Sequence, residues 1–81
     1  MEGLGEIIRK ERKALGLTLD QLAKLVGTSK AQLQRIEKGK KSPSVALLAE
    51  ISNILKKPIE ALIPAKRKGY YKLDRARQKL T

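Results

Sequence analysis

The stretch that decides the fold runs from Thr18 to Gly39, TLDQLAKLVGTSKAQLQRIEKG. It contains TLDQ at 18–21 and SKAQ at 29–32, which both fit the S/T-x-x-E/Q capping box. In that box a hydroxyl and a side-chain amide satisfy the free backbone donors at a helix start. Gly27 and Gly39 stand where a residue with positive φ ends a helix. The stretch therefore predicts two short helices joined by a tight turn.

The composition around this stretch favours one small, all-α domain. A chain of 81 residues buries only about 60% of its unfolded surface. Hydrophobic residues make up 41% of the chain, but aromatic residues only 2%. The core must therefore be aliphatic, which favours packed helices.

Several classes of site are excluded by residues that the chain lacks. It contains neither cysteine nor histidine, so disulfides, cysteine-based metal sites and the usual general base are absent. The chain also lacks a phosphate-binding glycine loop and a cluster of carboxylates, either of which would indicate a catalytic site. We expect no enzyme activity, no catalytic residue, no metal site and no cofactor. No apolar run approaches the roughly 18 residues of a membrane span, and the start lacks a signal-peptide core. A soluble, cytoplasmic protein with no membrane partner is expected.

The charge of the chain points to a polyanion as its partner. The net charge is +11, from 19 Lys and Arg against 8 Asp and Glu, and the pI is near 10.3. Such a balance is typical of proteins that bind nucleic acid. Binding of single-stranded nucleic acid is disfavoured, because that mode uses aromatic side chains as stacking platforms and only 2% of this chain is aromatic. Residues 1–65 carry +5 of the charge and residues 66–81 carry +6.

Helical periodicity predicts five helices with apolar inner faces. We expect them at Leu4–Leu15, Leu19–Val26, Lys30–Lys38 and Val45–Leu55, with a last short helix that has Pro58 in its first position. Arg9, Lys10, Arg12 and Lys13 are expected to face outward or sideways. The predicted inner and flanking side chains are Leu4, Ile7, Ile8, Glu11 through its stem, Ala14, Leu15, Leu22, Ala23, Leu25, Val26, Leu33, Ile36, Val45, Leu47, Leu48, Ile51, Ile54, Leu55, Ile59, Leu62 and Ile63.

The outward face of the third helix carries groups that read base edges. With Leu33 and Ile36 inward, the opposite face presents Ala31, Gln34, Arg35 and Lys38, and Lys30 is exposed at the first turn. Arg or Lys pairs with guanine, Gln with adenine, and a methyl group contacts thymine. Most such faces on isolated helices are merely solvated, but the surrounding motif favours the DNA-reading interpretation. The lysines and serines of 39–44 suit phosphate contacts.

The chain resembles the Cro-repressor type (Xre-like) helix-turn-helix family over about residues 4–64. The matching residues are Arg9, Arg12, Gly16, Leu17, Thr18, Leu22, Ala23, Gly27, Ser29, Leu33, Ile36, Glu37, Gly39, Pro43, Ser44, Leu48, Leu55, Pro58 and Leu62. The resemblance implies a compact five-helix, lambda-repressor-like DNA-binding domain over 1–64. Residues 65–81 would then be a basic tail or linker.

The resemblance also implies two contacts. Arg12 and Glu37 match an ion pair that ties helix one to the end of helix three. The family places the start of helix two against a DNA phosphate, through backbone amides and usually a Gln side chain. This chain has Leu19 there, followed by Asp20, so only the backbone donors and the helix dipole remain. We therefore expect Lys38, Lys40 and Lys41 to carry more of the phosphate anchoring.

These observations predict a sequence-specific regulator of transcription, more typical of a repressor, that binds double-stranded DNA. Lys30, Ala31, Gln34 and Arg35 would read bases in the major groove. The expected phosphate contacts are Leu19 (through its backbone), Ser29, Lys38, Lys40, Lys41, Ser42 and Ser44. A domain this small favours a homodimer on an inverted-repeat operator, with half-sites about 34 Å apart. Helices four and five, or Tyr70-Tyr71, are the candidate dimer surfaces.

Two alternatives concern residues 66–81. In one, the protein is an antitoxin or another interaction protein whose tail binds a protein partner. In the other, the chain is the DNA-reading head of a longer, effector-binding regulator of the cupin type, and the tail is a linker. The sequence pattern predicts a short strand at Tyr70 to Leu73 and one or two polar helical turns at Asp74 to Leu80. We expect this tail to be disordered or dependent on a partner.

Overall fold

Residues 3–63 form five α-helices in the computed structural model, which describes this part of the chain. They are α1 Leu4–Ala14, α2 Leu19–Val26, α3 Lys30–Glu37, α4 Val45–Leu55 and α5 Ile59–Leu62. The predicted all-α class is confirmed, and no helix in this region has the length and apolar character to cross a membrane. The predictions for the 65–81 tail, including Tyr70-Tyr71, concern residues outside this part of the chain.

Side-chain caps set the starts of α2 and α3. The Thr18 hydroxyl accepts a hydrogen bond from the backbone nitrogen of Gln21 at 3.1 Å, and the Gln21 side-chain oxygen accepts one from the Thr18 nitrogen at 2.8 Å. This is the full capping box that the sequence predicts. At α3 the Ser29 hydroxyl accepts from the Gln32 nitrogen at 3.1 Å, so the hydroxyl half of the box forms.

Residues in the left-handed conformation end α2 and α4 and follow α3. Gly27 has φ +78° and Gly39 has φ +76°, as their positions predict. Lys56 ends α4 with φ +55°, although it has a side chain that disfavours this conformation. Pro58 is the N-cap of α5 rather than its first helical residue, because its ψ of 153° is extended. The prediction that Pro58 is the first residue of the last helix was therefore wrong by one residue, because the helix begins at Ile59.

The core is aliphatic and draws on all five helices. Helix α3 packs against α1 and α2, and α4 packs against α1, α2 and α5. Each buried Leu or Ile side chain contributes about 1.5–3 kcal/mol. The buried cluster consists of Ile8, Leu22, Ala23, Val26, Leu33, Ile36, Leu48, Ile51, Leu55 and Leu62.

Some predicted core positions are exposed. Leu15 lies beyond the last residue of α1, so its side chain leaves the helical face. Leu25 is 53% exposed because its neighbour Val26, about 100° away around the helix, takes the inward direction. Ala14 is also exposed, and so is Val45, which begins α4 one turn before the core is reached at Leu48.

Gly5 brings α1 directly onto the end of α3, which the sequence reading missed. A Cβ at Gly5 would overlap the carbonyl oxygens of Ile36 and Glu37. Glycine inside a helix costs about 1 kcal/mol relative to alanine. The close contact between the two backbones explains why this position carries no side chain.

Candidate nucleic-acid interface

The outer face of α3 is an exposed stripe of basic side chains, one amide and one methyl group. Its five members, Lys30, Ala31, Gln34, Arg35 and Lys38, are all exposed. Leu33, Ile36 and Glu37 are buried on the other side of the same helix. From Ala31 to Lys38 the stripe spans about 10 Å along the helix axis. A B-DNA major groove is about 12 Å wide and admits an α-helix, so the stripe has the dimensions of a reading surface.

Positive charge concentrates on this stripe and on the loop that follows it. Residues 30–44 contain five basic side chains and a single acidic one, Glu37. Because Glu37 is buried and paired, no exposed carboxylate opposes the basic groups within 30–44. Such a surface attracts a polyanion and favours association with it.

The carboxylate of Glu37 is held from inside the protein by Arg12. Arg12 Nε donates to Glu37 Oε2 at 2.8 Å, and Nη2 donates to Oε1 at 3.0 Å. Arg12 Nη1 donates to the backbone oxygen of Leu17 at 2.8 Å. Both charged residues are only 8% exposed. One guanidinium thus ties the end of α3 to α1 and to the link between α1 and α2.

This geometry corrects the periodicity-based placement of Arg12, which was expected to face outward or sideways. A charged side chain enters a protein interior when its hydrogen bonds are satisfied, and a bidentate pair with a carboxylate satisfies them well. The partner of Arg12 lies 25 residues away. No pattern within α1 alone indicates such a contact.

At the start of α2, the side chains of the first two residues differ in their surroundings: the Leu19 side chain packs against the core, whereas the Asp20 side chain is exposed. The Leu19 side chain is half-buried and packs against the core, so only the backbone of this residue is left for polar contacts. Asp20 Oδ2 lies 3.4 Å from Lys24 Nζ, and both side chains are largely exposed. Exposed pairs of this kind are weak, so Lys24 offsets the Asp20 charge only in part.

Gln21 adds a donor that the sequence reading did not assign. Its side-chain oxygen is occupied by the Thr18 nitrogen, which can only donate. The Nε2 amide group therefore keeps its N–H donors for another acceptor. A glutamate would close the same capping box with an acceptor only. A Gln rather than a Glu at the third position of α2 is therefore the sequence signal for a free side-chain N–H donor at this place.

The loop after α3 is hydrogen-bonded back to that helix. The Lys38 nitrogen donates to the Gln34 oxygen at 3.0 Å, and the Lys40 nitrogen donates to the Arg35 oxygen at 2.9 Å. Lys40, Lys41 and Ser42 are exposed beyond this connection. The backbone position of Lys40 is thus set relative to α3.

The capping serines keep a donor for a ligand. Ser29 and Ser44 each accept a backbone N–H, from Gln32 and Leu47, at 3.1 Å. Each hydroxyl hydrogen remains available to a phosphate oxygen, because a hydroxyl both accepts and donates. Within residues 3–63, no group of three or more acidic side chains is placed to hold a metal ion.

Comparison with known proteins places this arrangement in a family. A helix-turn-helix family model matches residues 8–62, which extend from α1 to α5. The transcriptional repressor RghR of Bacillus subtilis (strain 168) is 41% identical over 64 residues, which cover 78% of this chain and 47% of RghR. The chain thus spans about half the length of that relative.

Two solved structures share the fold. The P22 c2 repressor bound to a synthetic operator has a TM-score of 0.75 and 28% identity, over 78% of this chain and 96% of that one. A chain of the SinR–SinI protein complex has a TM-score of 0.73 and 29% identity, over 93% of this chain and 78% of that one. The predicted lambda-repressor-like class is confirmed, and the chain belongs to the helix-turn-helix family.

Proposed function

We propose that this protein is a sequence-specific, double-stranded DNA-binding regulator of transcription and acts as a repressor. The observation that carries the proposal is the division of α3 into a buried face and an exposed, acid-free, basic face. The names of RghR as a transcriptional repressor and of P22 c2 as a repressor bound to a synthetic operator support it.

In this proposal α3 enters the major groove and its exposed stripe meets base edges. Arg35 or Lys30 donates to the oxygen and nitrogen acceptors of guanine, and Gln34 makes a bidentate contact with adenine. The methyl group of Ala31 contacts the methyl group of thymine. Each well-formed bidentate contact discriminates against the wrong base by about 1–3 kcal/mol.

Phosphate contacts on both sides of α3 fix its position in the groove. The backbone amides at Leu19 and the Gln21 amide group serve one side, with Ser29 near the first turn of α3. The other side uses Lys38 and the exposed groups that follow it, Lys40, Lys41, Ser42 and Ser44. These contacts carry no sequence information but supply the salt-dependent part of the affinity.

We further propose a homodimer on an inverted repeat, because one domain of this size reads only a few base pairs. The half-sites would lie about one helical turn, or about 34 Å, apart. Within the described residues, α4 and α5 offer the candidate dimer surface. The protein would work in the cytoplasm, on the nucleoid, without a cofactor or a catalytic step.

Selection of bound sequences from random duplex DNA tests the proposal. We expect an inverted repeat with the half-site spacing given above. Recovery of no preferred sequence at moderate salt, with binding that depends only on charge, would contradict sequence-specific regulation. Selection of a single half-site would support sequence-specific binding but contradict the proposed homodimer.

A second candidate role concerns residues 66–81, which we propose as a segment for a protein partner. One of the similar structures is a complex of two proteins, SinR and SinI, which is the observation that favours it. Protection of this tail from protease only when a partner is added would support the role. The alternative of a longer, effector-binding regulator is compatible with the partial coverage of RghR, and the full reading frame of the gene decides it.

A further inference from the structure

We propose that Arg9 and Lys13, on the exposed flank of α1 next to α3, bind the DNA backbone beyond the segment that α3 reads. The inference rests on the proposed function and adds to it a second, separate part of the DNA footprint. It assigns a role to two basic residues that neither the reading helix nor the ion pair uses.

Contacts on either side of α1 identify which flank faces α3. Gly5 and Arg12 lie against the last residues of α3. On the other flank, Glu11 Oε2 lies 3.7 Å from Lys57 Nζ, in the link between α4 and α5. Arg9 follows Gly5 by four residues and precedes Arg12 by three, so these three share one side of the helix. The flank that carries Arg9 is therefore the one beside α3.

Lys13 extends the same flank by one turn. It follows Arg9 by four residues, and both side chains are exposed. Together with Glu6 and Lys10 they line a shallow, open depression on the outer surface of α1. Among residues 3–63, neither Arg9 nor Lys13 has an ion-pair partner. Their charges are thus available to a ligand, unlike those of Arg12 and Lys57.

This flank is continuous with the proposed DNA surface. Helix α3 ends at Glu37, and the exposed Lys38, Lys40 and Lys41 follow immediately. Arg12 shares one side of α1 with Arg9 and binds Glu37, so the flank that carries Arg9 lies beside the C-terminal end of α3. The acid at this place, Glu37, is buried and already paired. A regularly spaced polyanion such as the DNA backbone fits a surface that continues from this flank to the lysines after α3.

The test uses the full chain and the operator recovered by selection. The double variant Arg9→Gln with Lys13→Gln should lower affinity for all sequences equally and leave the selected sequence unchanged. The slope of log K against log salt should flatten by about 2, since each lost phosphate contact removes about 0.9–1. Ethylation of one or two phosphates that block the wild type should no longer interfere with the variant.

Control variants separate a local contact from bulk charge and from folding. Lys56→Gly with Lys57→Gln removes the same charge from the link between α4 and α5, where Lys57 contacts the opposite flank of α1, and should leave the interference pattern unchanged. Arg9→Lys should retain most of the affinity, and Glu6→Gln should raise it. Melting temperatures of all variants confirm that each one folds.

Each outcome decides one question. If the wild type selects a sequence but the Arg9/Lys13 variant keeps its salt slope and all interfering phosphates, the inference is overturned. If the control variant lowers the slope as much, the effect is bulk charge and the inference also falls. If the wild type selects no sequence, the proposed function itself fails, which is a separate and recognisable result.

Discussion

On the inner side of α3, the Glu37 carboxylate accepts hydrogen bonds from two nitrogen atoms of the Arg12 guanidinium, and Glu37 is 8% exposed. On the outer side, Arg35 and Lys38 are exposed, and neither forms an ion pair among residues 3–63. Both sides of one eight-residue helix carry charge, but the inner charge is desolvated and satisfied, whereas the outer charges are solvated and open.

This difference separates residues that hold the platform from residues that act on a ligand. Removing one member of a buried pair leaves the other charge desolvated and unpaired, which destabilises the fold. Removing an exposed cation changes the free energy of unfolding little, because water already solvates it. Inner-face substitutions should therefore change stability, and outer-face substitutions should change DNA binding alone.

The largest effect is expected for Glu37→Ala. It leaves the Arg12 guanidinium buried without its carboxylate, so the free energy of unfolding should fall by about 3–5 kcal/mol. Urea denaturation measures the loss, and Glu50→Ala, at an exposed position of α4, is the matched control. Equal melting temperatures for the two variants would show that the Arg12–Glu37 pair does not stabilise the protein.

Gly5→Ala should disturb the same contact without touching a charge. The added Cβ overlaps backbone oxygens of α3, which yield less readily than side chains, so a loss of about 1–3 kcal/mol is expected. Gly3→Ala is the control, because a Cβ there meets nothing within 4 Å. A Gly5→Ala protein as stable as the wild type would mean that α1 and α3 separate freely, and the two helices would not form a rigid platform.

On the outer face, Arg35→Ala should leave the melting temperature unchanged and weaken specific binding by about 1–3 kcal/mol. Preference at one base position should relax, because the lost side chain no longer reads that base. A repeated selection with the variant measures this directly. An unchanged preferred sequence would move the reading face elsewhere on α3.

Lys40→Ala should have a smaller effect, and one that does not depend on sequence. Lys40 follows α3, and its backbone nitrogen donates to the Arg35 oxygen. We propose that its charge lies beside the groove rather than in it. Its loss should reduce the salt slope by about 1 and lower the affinity for all duplexes equally. Titrations at several salt concentrations, with operator and scrambled duplexes, measure both quantities. A loss confined to the operator would mean that Lys40 reads a base.

The helices and much of the core were predictable because they depend on local signals. Capping residues such as Thr18 and Ser29, and glycines such as Gly27, act within one or two turns of the chain. The apolar period of α4 likewise indicates which side chains face inward. The helical period of α3 also predicts that Arg35 faces outward, because Leu33 and Ile36 point inward on the opposite face.

The remaining features depend on contacts between distant segments. Gly5 is explained only by the α3 backbone that it meets, and the burial of Arg12 only by Glu37. Lys56 takes a left-handed conformation at the end of α4, although no glycine marks the place. The exposure of Leu25 is likewise decided by how α2 sits on its neighbours. Family resemblance, rather than periodicity, indicated the ion pair.

The smallest effect expected concerns the start of α2, where one residue serves both the platform and the ligand. Gln21→Glu keeps an acceptor for the Thr18 nitrogen, so the capping box and the stability of α2 should be retained. It removes the free amide donor and adds a negative charge where a phosphate is proposed to lie. A unit charge about 4 Å away in water is worth about 1 kcal/mol, so affinity should fall about fivefold. Asn53→Glu adds the same charge at an exposed position of α4. Provided that this variant keeps the oligomeric state of the wild type, which sedimentation measures, its binding should be nearly unchanged. If both variants bind alike, the start of α2 does not touch DNA, and phosphate anchoring must rest with α3, its loop and α1.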